Sequence, residues 1–242
     1  MCNRYALEGS FYDIAGNYQA MFVGDCQIQG DIFPRSLAPG LLCNLDGERE
    51  LHAMQFGIAP PNSETPSHPK FTSNNTRVEK PNVWPWQTAI ETSRCVVPLS
   101  EFREPCYWGD PEGTEVYFSR ADSNDLLHVA ALYRLWKSPD GQQQLYTMSM
   151  LMKPACDYVM DHGHHRQPIF ITRESIDGWL NPERIATNQA IQFLRDSLDE
   201  PALTHRHVRD MSPGWEKRKS GKVRNRGQQL QAMEQCPHRC GF

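Results

Sequence analysis

The chain has 242 residues, 39% of them hydrophobic, and a formal net charge of −4. That length fits one or two domains and buries a sizeable core without help from disulfides. The composition excludes collagen-like and wholly disordered readings, and no run approaches the roughly 18 apolar residues of a membrane span.

The start, Met1-Cys2-Asn3-Arg4-Tyr5-Ala6-Leu7-Glu8, has no apolar stretch after its basic residue. No secretory signal is expected, so the eight cysteines are read as free thiols in a reducing cytosol. The charge is uneven. Residues 201–242 hold nine Lys or Arg against three Asp or Glu, while the rest holds 16 basic and 26 acidic residues. We therefore expect a body over 1–215 and a basic, mobile C-terminal tail over 216–242. The tail reads either as a solvated terminus or as a segment that attracts phosphate by counterion release.

In chain order, four prolines make residues 59–69 an exposed loop. Residues 80–87 form a second loop, with Trp84 and Trp86 around Pro85. Strands are expected at Arg94–Pro98, Thr114–Phe118, His128–Tyr133, Leu145–Met150 and Pro168–Thr172. Ser138-Pro139-Asp140-Gly141 is the turn of a hairpin between the third and fourth. Ser175–Leu180 reads as a short helix. Asn188–Asp199 reads as a longer one, with Asn181-Pro182-Glu183 as a helix start. The sum is an α+β chain built mainly on antiparallel strands.

Four places carry possible chemistry. Removal of the initiator methionine leaves Cys2 with a free α-amine and a thiol. The amine, with a pKa near ~7.7–8.0, is partly neutral at pH 7. Such an aminothiol condenses with an aldehyde and then closes a thiazolidine ring, which a lone thiol cannot do. The alternative is a chance cysteine on a frayed end. Glu104, just past the Arg94–Pro98 run, is a general base if partly desolvated, with Glu101 its competitor. His162, His164 and His165 suit proton transfer, whereas the zinc spacings are absent there and Cys236-Pro237-His238-Arg239-Cys240 is a weak chelator. Asn74-Asn75-Thr76-Arg77-Val78-Glu79 combines an orienting amide with a guanidinium suited to phosphate.

In this order the pieces resemble the SOS response-associated peptidase (SRAP) family of abasic-site-processing proteins. Met1-Cys2-Asn3-Arg4-Tyr5 resembles its Met-Cys-Gly-Arg-Tyr opening, and Phe56-Gly57-Ile58-Ala59-Pro60 its Trp-Gly-Leu-Ile-Pro. Asn75-Thr76-Arg77-Val78-Glu79-Lys80 resembles its Asn-Ala-Arg-Ala-Glu-Thr, and Arg94–Pro98 leading to Glu104 its Arg-Cys-Leu-Ile-Pro before a catalytic Glu. Ala130-Ala131-Leu132-Tyr133 faintly echoes its Ala-Gly-Leu-Trp, and His164-His165-Arg166-Gln167-Pro168 resembles its His-Asp-Arg-Met-Pro. Departures stand at Asn3, Pro105, Cys156, His165 and Gln167, where the family has Gly, an aromatic, Asn, Asp and Met.

The resemblance implies one α+β domain with a strongly bent, barrel-like β-core, peripheral helices and a positive groove for single-stranded DNA. The substrate it implies is an abasic site, whose ring-opened deoxyribose presents an aldehyde. Cys2 would crosslink to it covalently, shielding the lesion, after self-processing removal of Met1. Glu104 would activate the amine, His164 would pass a proton to the sugar ring oxygen, and Asn75 would position Cys2. Arg4, Arg77 and Arg166 would hold phosphates, and Trp84 and Trp86 would stack bases. No metal, cofactor or membrane is implied, and a monomer is expected. Two other readings stay open: a thiol peptidase using Cys2 with His164, and a catalytically inactive single-stranded-DNA-binding module.

Overall fold

Alternating apolar and polar residues, cut by prolines and glycines, make this chain strand-rich. In the computed structural model, which describes residues 2–24, 27–28, 30–70 and 72–234, the elements run β1 (Arg4–Leu7), α1 (Phe11–Asn17), β2 (Met21–Val23), β3 (Gly30–Ile32), β4 (Leu37–Cys43), β5 (Arg49–Phe56), β6 (Asn75–Arg77), α2 (Ala89–Thr92), β7 (Arg94–Leu99), β8 (Glu101–Pro105), β9 (Thr114–Arg120), β10 (Leu127–Lys137), β11 (Gln144–Pro154), α3 (Asp157–Asp161), β12 (Arg166–Pro168), α4 (Ile176–Leu180), α5 (Thr187–Asp196), β13 (Leu203–Asp210) and α6 (Glu216–Glu234).

Strands β5, β4, β7, β10 and β11 pair in that order, and β11 returns to pair with β5 at Thr147–Gln55 and Met148–Phe56. The five therefore close into a barrel, which removes their open edges. A second sheet, ordered β13-β9-β8-β1-β3, lies beside it. Most pairings are antiparallel; β2–β5, β5–β11 and β6–β11 are parallel. One buried apolar cluster runs from Cys2 to Met211, so this is a single α+β domain with a barrel core and peripheral helices, as expected.

The hairpin turn at 138–141 joins β10 to β11. Arg94, at the start of β7, is buried and donates to the carbonyls of Ile90, Glu91, Trp179, Asn181 and Glu183. It thereby ties α2 and α4 to the barrel.

Three expectations need correction. Asn181–Glu183 does not start a helix, because two of its carbonyls are taken by Arg94. Helix α5 begins later, at Thr187, where Gln189 accepts from the Ala186 amide. The run Pro168–Thr172 pairs as a strand only up to Pro168. Beyond that, Phe170 and Ile171 make single bridges to Val129 and Leu198. Within the expected basic tail, residues 216–234 form helix α6. Cys236 and Cys240 lie outside the described residues. None of the described helices is long and apolar enough to cross a membrane.

Candidate active site

The chemistry-bearing residues converge where β1, β6, β8 and the loop after α3 meet. Strand β8 sits between β1 and β9, with Arg103 opposite Arg4 and Glu104 opposite Val116. Alternation on β8 sends Phe102 and Glu104 inward and Glu101 and Arg103 to the other face. Glu101 is thereby removed from competition, and it pairs with Arg206 instead.

The loop after α3 is pressed onto the segment that follows β8. The Gly163 carbonyl accepts from the Tyr107 amide at 2.9 Å, and Trp108 Nε1 donates to the Met160 carbonyl at 2.5 Å. Gly163 has φ +98°, and a Cβ there would lie 2.6 Å from the Trp108 carbonyl oxygen. Glycine is required by both conformation and space. This seating brings His164 Nε2 to 3.4 Å from Glu104 Oε2, with both side chains fully buried.

Strand β6 pairs in parallel with β11 and carries the amides to the chain start. Asn75 Nδ2 donates to the Cys2 carbonyl at 2.7 Å, and Asn74 Nδ2 donates to the same oxygen at 3.0 Å. Both amides also reach Asn3 Oδ1, at 3.2 and 3.3 Å. At the position where the family has Gly, Asn3 thus adds an acceptor that helps fix these amides. The Cys2 thiol donates to the Arg4 carbonyl at 3.3 Å, and Cys2 is fully buried.

Burial dominates the electrostatics. It pushes the Glu104 carboxyl up to about 7. Burial, and then the nearby Glu104 carboxylate, push the Cys2 thiol far above its usual range. Burial also holds the His164 imidazole well below its ordinary value and brings His165 down to about 3. His164 Nδ1 lies 2.9 Å from the Arg166 carbonyl. A carbonyl only accepts, so in the neutral ring Nδ1 carries the hydrogen and Nε2 presents its lone pair to Glu104. A lone pair facing a carboxylate oxygen favours one proton held between them, which agrees with the raised carboxyl. The arrangement can therefore take or return a single proton near neutral pH.

Among the described residues, buried Asn75 Oδ1 and His165 Nδ1 have no hydrogen-bond partner. Such atoms are costly unless something binds them. Gln167 and Cys156, two departures from the family, meet each other. Gln167 Oε1 accepts from the Cys156 amide at 2.7 Å and caps the start of α3.

The other expected residues spread outward. The Arg4 guanidinium lies 4.1 Å over the Phe33 ring. Arg77 shares a strand face with Asn75, one step toward solvent. Neither arginine pairs with a carboxylate among the described residues. Arg166 pairs with Glu79 at 2.5 Å. Trp84 is exposed and meets His68 edge-on. Trp86 is partly buried, and its Nε1 donates to Ser149, so it packs rather than offers a face. His162 packs on Tyr158 and His205, apart from the pair. Sequence reasoning missed Asn74, Tyr107 and Gly163 as parts of the site. The duplicated amide at 74–75 and the glycine between two histidines were its only signals. Among the described residues no three His, Cys, Asp or Glu side chains converge as metal ligands.

Comparison with known proteins shows the family and the fold. A family model described as SOS response associated peptidase (SRAP) matches residues 1–211. The abasic site processing protein YoqW of Bacillus subtilis is 27% identical over 194 residues, covering 76% of this chain and 81% of its own. The abasic site processing protein HMCES of Pongo abelii is 25% identical over 203 residues, covering 66% of this chain and 55% of its own. A crystal structure of a Bordetella bronchiseptica protein superposes with a TM-score of 0.69 at 21% identity, over 86% of this chain and all of that one. One from Bacteroides thetaiotaomicron gives 0.68 at 17% identity, over 86% of this chain and 92% of that one.

Proposed function

The chain belongs to the SOS response associated peptidase (SRAP) family, and we propose that it processes abasic sites in single-stranded DNA by joining Cys2 covalently to the lesion. The observation that carries this reading is the chain start held by Asn74 and Asn75 next to the buried Glu104–His164 pair.

Loss of Met1 gives Cys2 an α-amine. That amine attacks C1′ of the ring-opened sugar, and one water leaves as the imine forms. The thiol sulfur then adds to the imine carbon, and its proton passes to the nitrogen. The product is a thiazolidine, and no external oxidant or reductant enters. Glu104 accepts a proton from the attacking amine, and the shared proton with His164 serves the ring-opening oxygen. The same carboxylate is suited to activating water for removal of Met1. Arg4 and Arg77, with no carboxylate partner among the described residues, hold phosphates. The buried thiol, far above its ordinary pKa, disfavours a peptidase that relies on a standing thiolate. Cys2 is fully buried in the chain that still carries Met1, and the sugar must gain access to it once Met1 is lost.

Incubation with a single-stranded oligonucleotide carrying one abasic site, followed by a denaturing gel, tests the reading. A heat-stable shifted band that Cys2→Ala abolishes is expected. Absence of that band in protein shown by intact mass to have lost Met1 would overturn it, and noncovalent retention alone would indicate an inactive binding module.

A further inference from the structure

We propose that helix α6 forms part of the nucleic-acid-binding surface, with Lys222 and Arg226 contacting the phosphates that flank the lesion. The proposal rests on the abasic-site reading and extends it to a helix beyond the residues the family model matches.

The helix carries six Lys or Arg against two Glu. Lys219, Lys222 and Arg226 recur at helical spacing and share one face. That face is turned to the site. The Lys222 ammonium sits 5.6 Å over the Tyr107 ring, and the Arg226 guanidinium 5.2 Å over the Trp108 ring. Lys219 pairs with Glu112 at 2.5 Å. Tyr107 in turn has its ring centroid 6.4 Å from that of His164. The cationic stripe therefore lies one aromatic ring away from the proposed chemistry.

Its donors are largely unspent. Among the described residues, neither Lys222 nor Arg226 pairs with a carboxylate, and the buried Nε of Arg226 has no hydrogen-bond partner. Lys222 is more than half buried, and burial lowers its affinity for a proton, while the fields of Glu104 and Arg77 both reach it. A cation over a ring face and a half-exposed ion pair are both weak contacts. A phosphodiester offers charge-assisted hydrogen bonds that are stronger than these. The strand can thus exchange with the ring contacts at little cost, while Arg4 and Arg77 hold it from β1 and β6.

The test measures binding of an undamaged single-stranded oligonucleotide across a salt series, together with crosslinking of the abasic one, for the full chain. Lys222→Gln is expected to weaken binding about three- to tenfold and to reduce the salt slope by about 0.7. Lys222→Glu should weaken it further, and Lys222→Arg should restore it. A chain ending at residue 215 should lose more than either single variant. Melting temperatures of all variants separate lost contacts from lost folding, and recovery by Lys222→Arg does so independently. Unchanged affinity and slope in Lys222→Gln would overturn the proposal. So would tighter binding or faster crosslinking after truncation, which would make α6 a cover over the site. Either result, obtained with wild-type protein that still crosslinks, leaves the abasic-site reading standing; a wild type that does neither defeats both.

Discussion

Glu104 Oε2 and His164 Nε2 lie 3.4 Å apart with no solvent exposure on either side chain. The hydrogen on His164 Nδ1 is committed to the Arg166 carbonyl, so one mobile proton remains for the pair. With the Glu104 carboxyl at about 7, the rate of crosslinking should rise with pH through about 7 and then level off. Glu104→Gln should slow the reaction roughly 10²–10⁴-fold and flatten that rise. Glu101→Gln, on the opposite strand face, should leave it unchanged. Single-turnover crosslinking rates from pH 5.5 to 8.5 measure both.

The same buried carboxyl affects stability with a definite sign. Its folded pKa lies above the unfolded value, so between about pH 4.5 and 7 the native state binds more protons and stability falls as pH rises. Glu104→Gln removes that cost. We expect it to raise stability at pH 8 by about 1–3 kcal/mol, read as a melting temperature several degrees higher. A variant that melts no higher than wild type at pH 8 would contradict the burial argument.

His128 pulls the other way. Burial brings it down to about 4, and its Nδ1 lies 2.7 Å from the buried Tyr18 hydroxyl. Its folded pKa is below the unfolded one. The stabilisation is complete above about 6.5 and is lost as pH falls toward 4. His164 and His165 add to this trend. Melting temperature should drop steeply below pH 6, and the double variant Tyr18→Phe with His128→Phe should shed part of the drop without stranding a buried hydroxyl.

The amides of Asn74 and Asn75 converge on the Cys2 carbonyl. Replacing Asn75 by Ala leaves one donor and frees the chain start to shift. A misplacement near 1 Å costs about 10²-fold in a reaction that depends on orientation, so we expect a 10- to 100-fold slower crosslink with DNA affinity nearly kept. Asn75→Asp, which sets a carboxylate oxygen against a carbonyl, should be worse than Ala. Single-turnover crosslinking rates measured alongside the affinity for undamaged single-stranded DNA check this.

Gly163→Ala must place a Cβ 2.6 Å from the Trp108 carbonyl oxygen at φ +98°. Chemical denaturation should show a loss of about 2–4 kcal/mol, and the surviving folded fraction should crosslink slowly, because the His164 seat is shifted.

Much of this was legible one residue at a time. The β-formers of 94–98, 114–118, 128–133 and 145–150 mark strands that the structure contains, and the turn residues at 138–141 mark their hairpin. A cysteine after the initiator methionine, the amide and arginine at 75 and 77, and the glutamate and histidine at 104 and 164 carry their chemistry in their side chains, so residue type made them candidates, and the family resemblance singled out Glu104 from Glu101 and His164 from its neighbours. What residue type cannot express is which groups share a low-dielectric space. Closure of the barrel through β5 and β11, and the press of Gly163 against the segment after β8, put Glu104 and His164 out of water and moved both pKa values. The physical reason for Glu104 over Glu101 is strand parity, which needs the register with β9. The basic run at 216–226 was visible as charge. Its facing Tyr107 and Trp108 depends on contacts across more than a hundred residues of chain, and only packing decides contacts of that range.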